Sequence, residues 1–292
     1  MPTIRQLKRR ITSVKNTAKV TNALQLVAAS KMRRAQDRAT QSRPYSEKLR
    51  FVLAGLSTES GVGDDVAHPL LANRPVKNIA VLHITPDRGL CGGLNSNLNR
   101  SAGTFVAMQH EPVQLVAVGK KGRDFFVRAH AHVAAEFTDL GDYPTQGDTL
   151  AIGRLIIDDY LNGAVDKVFI SYPHFVSTAV QRPTITQLLP IESPRMDSAA
   201  AAEMYRADYI FEPSPEKVLE RLLPRYVEMI IYDAVLQSAA SYQSAQMVAM
   251  KNATDNAREI TRELTLTYNK ARQEQITKEL LDIVGGAAAL EG

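Results

Sequence analysis

The sequence predicts an α/β protein: a central α/β layer between two long terminal helices that return past each other as an antiparallel coiled coil. Three observations carry this. From Thr3 to Arg43, and again from Arg225 to Val284, there is neither Gly nor Pro. Along both stretches apolar or small residues recur at alternating steps of three and four, the period of a helical seam. Between them, β-branched apolar runs alternate with amphipathic helix patterns. The division is residues 1–57, the N-terminal coiled-coil helix; 76–215, a Rossmann-like α/β domain; and 216–292, the C-terminal coiled-coil helix.

The first helix places Ile4, Leu7, Ile11, Val14, Ala18, Ala28, Met32, Ala35 and Ala39 on its seam, with Thr21 and Gln25 as polar members. That is about five heptads. Pro44 is a kink point, and "RPYSEKLRFVLAGL" carries the helix pattern on. Its charge is lopsided. Arg5, Lys8, Arg9, Arg10, Lys15, Lys19, Lys31, Arg33, Arg34, Arg38 and Arg43 meet one acid, Asp37. Self-sufficient coiled coils mix signs at their flanks, so these cations form either a solvated face or a surface for an acidic partner.

The middle opens with "VKNIAVLHIT", a buried strand, then the Gly-rich turn "PDRGLCGG" and helix-compatible "LNSNLNRSAGTFVAMQ". "VQLVAVG" is a second strand, "KKGRDFFVRA" a second helix and "HVAAEF" a short third strand. "TLAIGRLIIDDYLNG" is an amphipathic helix, "VDKVFISYP" a fourth strand and "STAVQRPTITQLLPI" a more exposed fifth. Such alternation gives a mostly parallel sheet. The last helix spans about 60 residues, roughly 90 Å at 1.5 Å per residue. Its stripe is thin: Val227, Ile230, Ala234, Ala245, Val248, Ala253, Ile260, Leu264 and Ala271, diluted by Ser238, Ser241, Asn252, Asn256 and Thr267. A helix of that length with so thin a stripe needs a partner, and the N-terminal helix is the obvious one.

Composition narrows the function classes. The chain has 292 residues, 45% of them apolar, no Trp and a net charge of +4. That bounds one or two domains with a real core and an acidic or anionic partner. The single cysteine, Cys91, excludes an internal disulfide and a cysteine-based zinc cluster. No charge-free apolar run reaches membrane-spanning length. The basic N-terminus lacks an apolar signal core and reads as mature structure rather than a transit peptide. "DRGLCGG" fits neither the dinucleotide fingerprint nor, with "GKKG" at 119–122, a phosphate loop. An anion at a helix N-terminus there is the remaining option. The six histidines are scattered, Cys91 has no partner set, and Asp158 and Asp159 read as the wet side of a helix. No catalytic constellation, cofactor site or metal site emerges. The cations of the first helix keep a basic coiled-coil nucleic-acid binder open, although aromatic stacking residues are missing from that region.

Three stretches together resemble one family. "IRQLKRRITSVKNTAKVTNALQLVAASKMRRAQ", "DRGLCGGLN" and "ATDNAREITRELTLTYNKARQEQITKELLDIVGGAA" are similar to the N-terminal helix, central-domain loop and C-terminal helix of the gamma subunit of F-type ATP synthases, of bacterial type. The family signature falls on Ile276, Thr277, Glu279, Asp282, Gly286 and Ala287. Two departures are small: Leu24 stands where many bacterial relatives have methionine, and Pro86 where a serine often precedes the turn. The resemblance implies a non-catalytic rotor shaft that couples rotation of a membrane c-ring to conformational cycling of the catalytic beta subunits. It implies a hexameric ring of alpha and beta subunits, an epsilon subunit and the c-ring as partners, with no nucleic acid. It also implies a peripheral place on the cytoplasmic side of the cell membrane. On this chain it puts stator contacts at Lys8, Arg9, Arg10, Lys31, Arg33, Arg34, Arg272, Gln273, Thr277, Glu279 and Asp282. Foot contacts toward the c-ring and epsilon fall on Tyr205, Tyr209 and Glu212. The run of small, uncharged residues from Gly285 to Ala289 suits a bearing that turns in a sleeve without gripping.

Overall fold

The computed structural model describes residues 3–59, 68–191, 212 and 214–291. Ten elements follow in order: α1 (Ile4–Glu59), β1 (Ile79–Ile84), α2 (Leu94–Ala107), β2 (Val113–Val118), α3 (Lys120–Arg128), β3 (Val133–Phe137), α4 (Gln146–Leu161), β4 (Lys167–Phe175), β5 (Gln181–Leu189) and α5 (Pro215–Glu291). All five expected strands form. Pro44 lies inside α1 without ending it: one backbone hydrogen bond is lost, and 56 residues remain in one helix. The last helix begins ten residues before its Gly- and Pro-free stretch. Pro215 takes the first helical position, where a missing N–H costs nothing, and the Lys217 N–H donates to Ser214 Oγ as an N-cap.

The residues gather into two compact units, one of 29–245 and one of 1–28 with 246–292. In the larger, the sheet order is β3-β2-β1-β4-β5. The first four strands are parallel and β5 returns antiparallel beside β4. The period of two along β1 sends alternate residues to opposite faces. Ala80, Leu82 and Ile84 join Ile152, Ile156 and Tyr160 of α4 and Leu223, Val227 and Ile231 of α5 in the main core. Ile79 and Val81 face Ala102 of α2 and Phe126 of α3 in a smaller one. Helices on both faces explain why β1, β2 and β4 read as continuous apolar runs. The chain entering β1 is fastened by Arg74. Its guanidinium donates to Tyr160 O at 2.8 Å and to Val165 O, stacks 4.4 Å over the Tyr160 ring, and approaches Asp166 Oδ1 at 2.8 Å through Nε. Asp166 also accepts from the Lys77 and Asn78 N–H groups, and these bonds, with Arg74 beside them, hold its carboxyl below the usual range.

The smaller unit is a helix pair. Leu7, Thr21 and Ala28 are buried on α1, with Ile4, Ile11, Val14, Ala18 and Gln25 half-buried, the seam that the sequence predicts. On α5 the buried positions are Met250, Thr254 and Ala257, followed by half-buried Thr261, Leu264, Tyr268 and Ala271. This corrects the stripe read from the sequence: Ile260 is 45% exposed, and threonines occupy seam positions instead. Their hydroxyls are no liability because each bonds a carbonyl four residues back: Thr254 to Met250 O at 2.8 Å, Thr261 to Ala257 O at 2.8 Å, Thr265 to Thr261 O at 2.7 Å. One bond crosses the pair, between Thr21 Oγ1 and Thr254 Oγ1 at 2.7 Å.

Candidate functional site

Within the helix pair, the unit joins the first 28 residues to everything after 246, so α1 and α5 run antiparallel about the Thr21–Thr254 contact. One residue forward on α1 then matches one back on α5, and Ile4 falls opposite the region of Ala271. Burial on α5 stops there: every residue from Arg272 to Gly286 is exposed. The end of α5 is an overhang with no partner helix among the described residues. Arg272, Gln273, Thr277, Glu279 and Asp282 all lie on it. So do Ile276, Leu280, Leu281, Ile283 and Val284, which are 44 to 68% exposed. The spacing 276, 280, 283, 284 makes an apolar face one helical stripe wide, interleaved with polar groups. Gln275 Nε2 donates to Glu279 Oε1 at 2.8 Å along the same helix. The small-residue tip expected from Ala287 on lies outside the described side chains; just before it, Ile283 and Val284 are exposed.

The cations of α1 divide. Lys8, Arg9 and Arg10 are exposed on the helix pair. In the α/β unit, Lys31 is half-buried and its Nζ lies 2.7 Å from Asp142 Oδ2, in the loop after β3. Arg34 Nη1 donates to Tyr143 Oη at 3.4 Å, and the Arg38 guanidinium sits 5.0 Å from the Tyr143 ring centre. Arg33 is exposed on the same stretch. So part of the lopsided charge is used within the chain, a division no sequence period could show. Glu212 is exposed, and Tyr205 and Tyr209 lie outside the described residues.

The α/β unit also holds a cavity of about 220 Å³ at the C-terminal ends of β1, β2 and β3, closed by Val235, Ser238, Ala239, Tyr242 and Gln243 of α5. Open α/β sheets bind ligands at this end. Here the anion position at the start of α3 is already filled: Asp87 accepts from the Lys120 N–H at 2.9 Å and from the Asp139 N–H at 3.1 Å. Asp139 pairs with Lys120 Nζ at 2.8 Å, and Asp142 with Lys31. Each carboxylate in the wall thus has its own donor, and none is left over for an ionic ligand. Gly119 is required at this turn: its φ is +91°, and a Cβ would stand 1.9 Å from Thr85 O. Cys91 packs with Leu94, Leu98, Tyr242 and Ala245, and burial pushes its thiol up, away from thiolate chemistry. His83 is enclosed between Ser171 Oγ at 3.1 Å and Asn99 Oδ1 at 3.0 Å, and burial holds its imidazole down at about 4. Among the described residues, no group of His, Cys, Asp and Glu is arranged for a metal.

Known proteins resemble the chain from end to end. A family model described as ATP synthase matches residues 3–290. The ATP synthase gamma chain of Dehalococcoides mccartyi (strain CBDB1) is 56% identical over 290 residues, 99% of this chain and 100% of the relative. That of Roseiflexus castenholzii is 48% identical over 293 residues, 99% of each chain. Among solved structures, the central stalk and c-ring of the Tetrahymena thermophila mitochondrial ATP synthase has a matching chain. It is 25% identical with a TM-score of 0.62, over 80% of this chain and 99% of that one. A chain of the Euglena gracilis mitochondrial ATP synthase, in the OSCP/F1/c-ring assembly, shares the fold at a TM-score of 0.69 and 18% identity, over 98% and 94%.

Proposed function

This chain belongs to the ATP synthase gamma chain family, and from that premise we propose that it is the central rotor shaft of a proton-translocating F-type ATP synthase. It catalyses nothing itself. It carries rotation of a membrane c-ring to a ring of alpha and beta subunits, whose beta sites change nucleotide affinity as the shaft turns. The family assignment displaces the nucleic-acid reading of the basic helix.

One observation carries the mechanical reading: α5 outruns its partner helix and ends in an exposed overhang. In a lone protein, exposed Leu280, Leu281, Ile283 and Val284 would be a liability. Inside a sleeve of other subunits they are covered. An apolar face also suits turning, since dispersion contacts are non-directional and can be exchanged for equivalent ones at each step. Polar Arg272, Gln273, Thr277, Glu279 and Asp282 supply directional bonds to one beta subunit at a time. Lys8, Arg9 and Arg10 offer charge to acidic loops of the same ring; with Arg33 they are the stator-facing cations of α1 that keep no partner inside this chain's described structure. Lys31 and Arg34 divide their bonding between stator and loop. The foot, at Tyr205, Tyr209 and Glu212, meets the c-ring and an epsilon subunit. No described helix is long and apolar enough to cross a membrane. The shaft reaches the cytoplasmic face of the cell membrane through its partners, as a peripheral subunit.

The test is rotation. The chain is assembled with alpha and beta subunits of a close relative, and a bead is fixed to a cysteine introduced at exposed Ala179. ATP should drive unidirectional turning of the bead. A bead that stays still while the assembly hydrolyses ATP would sink the rotor reading. Within the same assembly, Arg272→Ala with Gln273→Ala should lower torque more than Ala288→Lys, and the reverse order would remove the division into grip and bearing.

A further inference from the structure

A shaft must be fastened to the body that turns it, and apolar helix packing alone is a poor fastening. Apolar contacts resist separation but have little directional preference, so a helix can rotate or slide against a smooth face at small cost. A directional bond placed off the helix axis resists such slip. The α/β unit contains one loop that makes such bonds to both long helices.

That loop runs from Asp139 to Thr145, between β3 and α4. From α1 it receives three cations spaced three and four residues apart, on one face of the helix. Lys31 Nζ meets Asp142 Oδ2 at 2.7 Å, Arg34 meets Tyr143 Oη at 3.4 Å, and Arg38 lies against the Tyr143 ring. From α5 it receives Gln243, whose Nε2 donates to the other oxygen of the same carboxylate, Asp142 Oδ1, at 3.3 Å. Gln243 is 2% exposed and its Oε1 has no partner, so this bond alone orients the amide. The Lys31–Asp142 pair is itself largely withdrawn from water, with side chains 30% and 26% exposed. Partial burial makes such a pair stronger than a freely solvated one.

The loop is rigid on its own account. Its first residue is tied to the sheet end by Asp87 and Lys120. Leu140 packs on the main core. Pro144 is buried, and Thr145 with Asp148 closes a capping box at the start of α4. Asp142 is thus held from the sheet and holds α1 with one oxygen and α5 with the other. Lys31 is the first charged residue of α1 in this unit, and Gln243 lies two residues before the last of α5 in it. The bonds sit near the ends of the helix segments that belong to this unit.

We propose that Asp142, with Lys31 and Gln243, is a torque clamp: these are positioning residues that lock α1 and α5 to the α/β unit so that rotation passes without slip. The inference rests on the rotor reading and adds to it the point of load transfer. It also gives a role to cations on α1 that would otherwise all be assigned to the stator.

The experiment uses the assembled, membrane-reconstituted complex and reads proton pumping per ATP hydrolysed. Lys31→Glu and Asp142→Lys each set like charges together and should lower that ratio about twofold or more. Subunit content and ATP hydrolysis should stay near wild type in Asp142→Lys, whose residue lies outside the stator contacts. The double exchange K31E/D142K restores an ion pair, and its new ammonium faces the unpartnered Gln243 Oε1, so coupling should recover. Arg123→Ala serves as control. It removes ion pairs to Asp124 at 2.9 Å and Glu136 at 3.4 Å on the same unit, neither of them to α1 or α5, and coupling should not change. Normal coupling in both single variants would overturn the clamp. So would loss of assembly that the double exchange does not rescue, which marks a purely structural contact. Removal of residues after Ala271, run in parallel, separates the two readings: if it uncouples the complex while the single variants do not, the rotor stands and the clamp falls.

Discussion

His83 shows what one enclosed side chain imposes. Its Nδ1 and Nε2 are both occupied, by Ser171 of β4 and Asn99 of α2, and its ring meets Phe126 edge-on at 5.4 Å between centres. There is no room for the hydration an imidazolium needs, so the neutral form is held and the group titrates at about 4 instead of 6.5. The folded value is the lower one. The stability it confers is therefore whole above pH 6.5 and is lost as pH falls from there through about 4. By pH 4 the loss approaches about 3 kcal/mol. Urea melts at pH 7 and pH 4.5 should show a fall in midpoint that His83→Gln, which keeps a donor and an acceptor, largely removes. An equal fall in the variant would assign the acid sensitivity elsewhere. Gly119 is the second residue of this kind. Gly119→Ala must move either the turn or the Thr85 carbonyl, and should cost at least about 3 kcal/mol in thermal or denaturant unfolding. A variant as stable as wild type would mean that the turn yields more easily than its contacts suggest.

At the scale of elements, the threonine seam is the informative case. The sequence reads as an apolar stripe thinned by polar residues, and the stripe it favours includes Ile260. The observed seam instead runs through Thr254 and Thr261 and leaves Ile260 outside. A threonine on a helix can return its hydroxyl to the carbonyl four residues back, so it presents a methyl group to its partner while its polar group is satisfied. Period and hydrophobicity scales do not register that. The Thr21–Thr254 bond then acts as a register pin, since sliding by one turn leaves two buried hydroxyls without each other. Both oxygens also bond their own helices, Thr21 to Thr17 O at 3.0 Å and Thr254 to Met250 O. Thr21→Val with Thr254→Val should accordingly change stability by no more than about 1 kcal/mol. The thermal midpoint of the full chain checks this. A loss of several kcal/mol would show that the crossing bond contributes more to stability than to register.

At the scale of the molecule, the chain pairs 25 or so residues of α1 with α5 and leaves the end of α5 without a partner. Residues 272–286 of the overhang are exposed among the described residues, so a chain ending at Ala271 should melt at the same temperature as the whole. The same truncation should abolish coupled ATP synthesis in the assembled complex. A lowered melting point would place part of the overhang's function in folding instead. Much of this architecture was legible beforehand. Period-two and period-3.6 patterns depend on which residues must be buried, and burial is a local property of the sequence. All five strands, their mostly parallel sheet and the presence of two long terminal helices came from there, although the last helix runs 77 residues instead of the roughly 60 expected. The family came from there too, because signature stretches such as "ITKELLD" are specific over many positions. What only the tertiary structure decided are pairings between distant residues. Lys31 of a basic helix belongs to Asp142, 111 positions away, and Asp87 rather than a phosphate caps α3. Thr254 meets Thr21 across 233 positions. Charge and hydroxyl groups look alike in sequence whether they face water, a partner subunit or one another. Only the closing of the chain in space settles which, because an ion pair or hydrogen bond acts over a few ångströms and carries no trace of sequence distance.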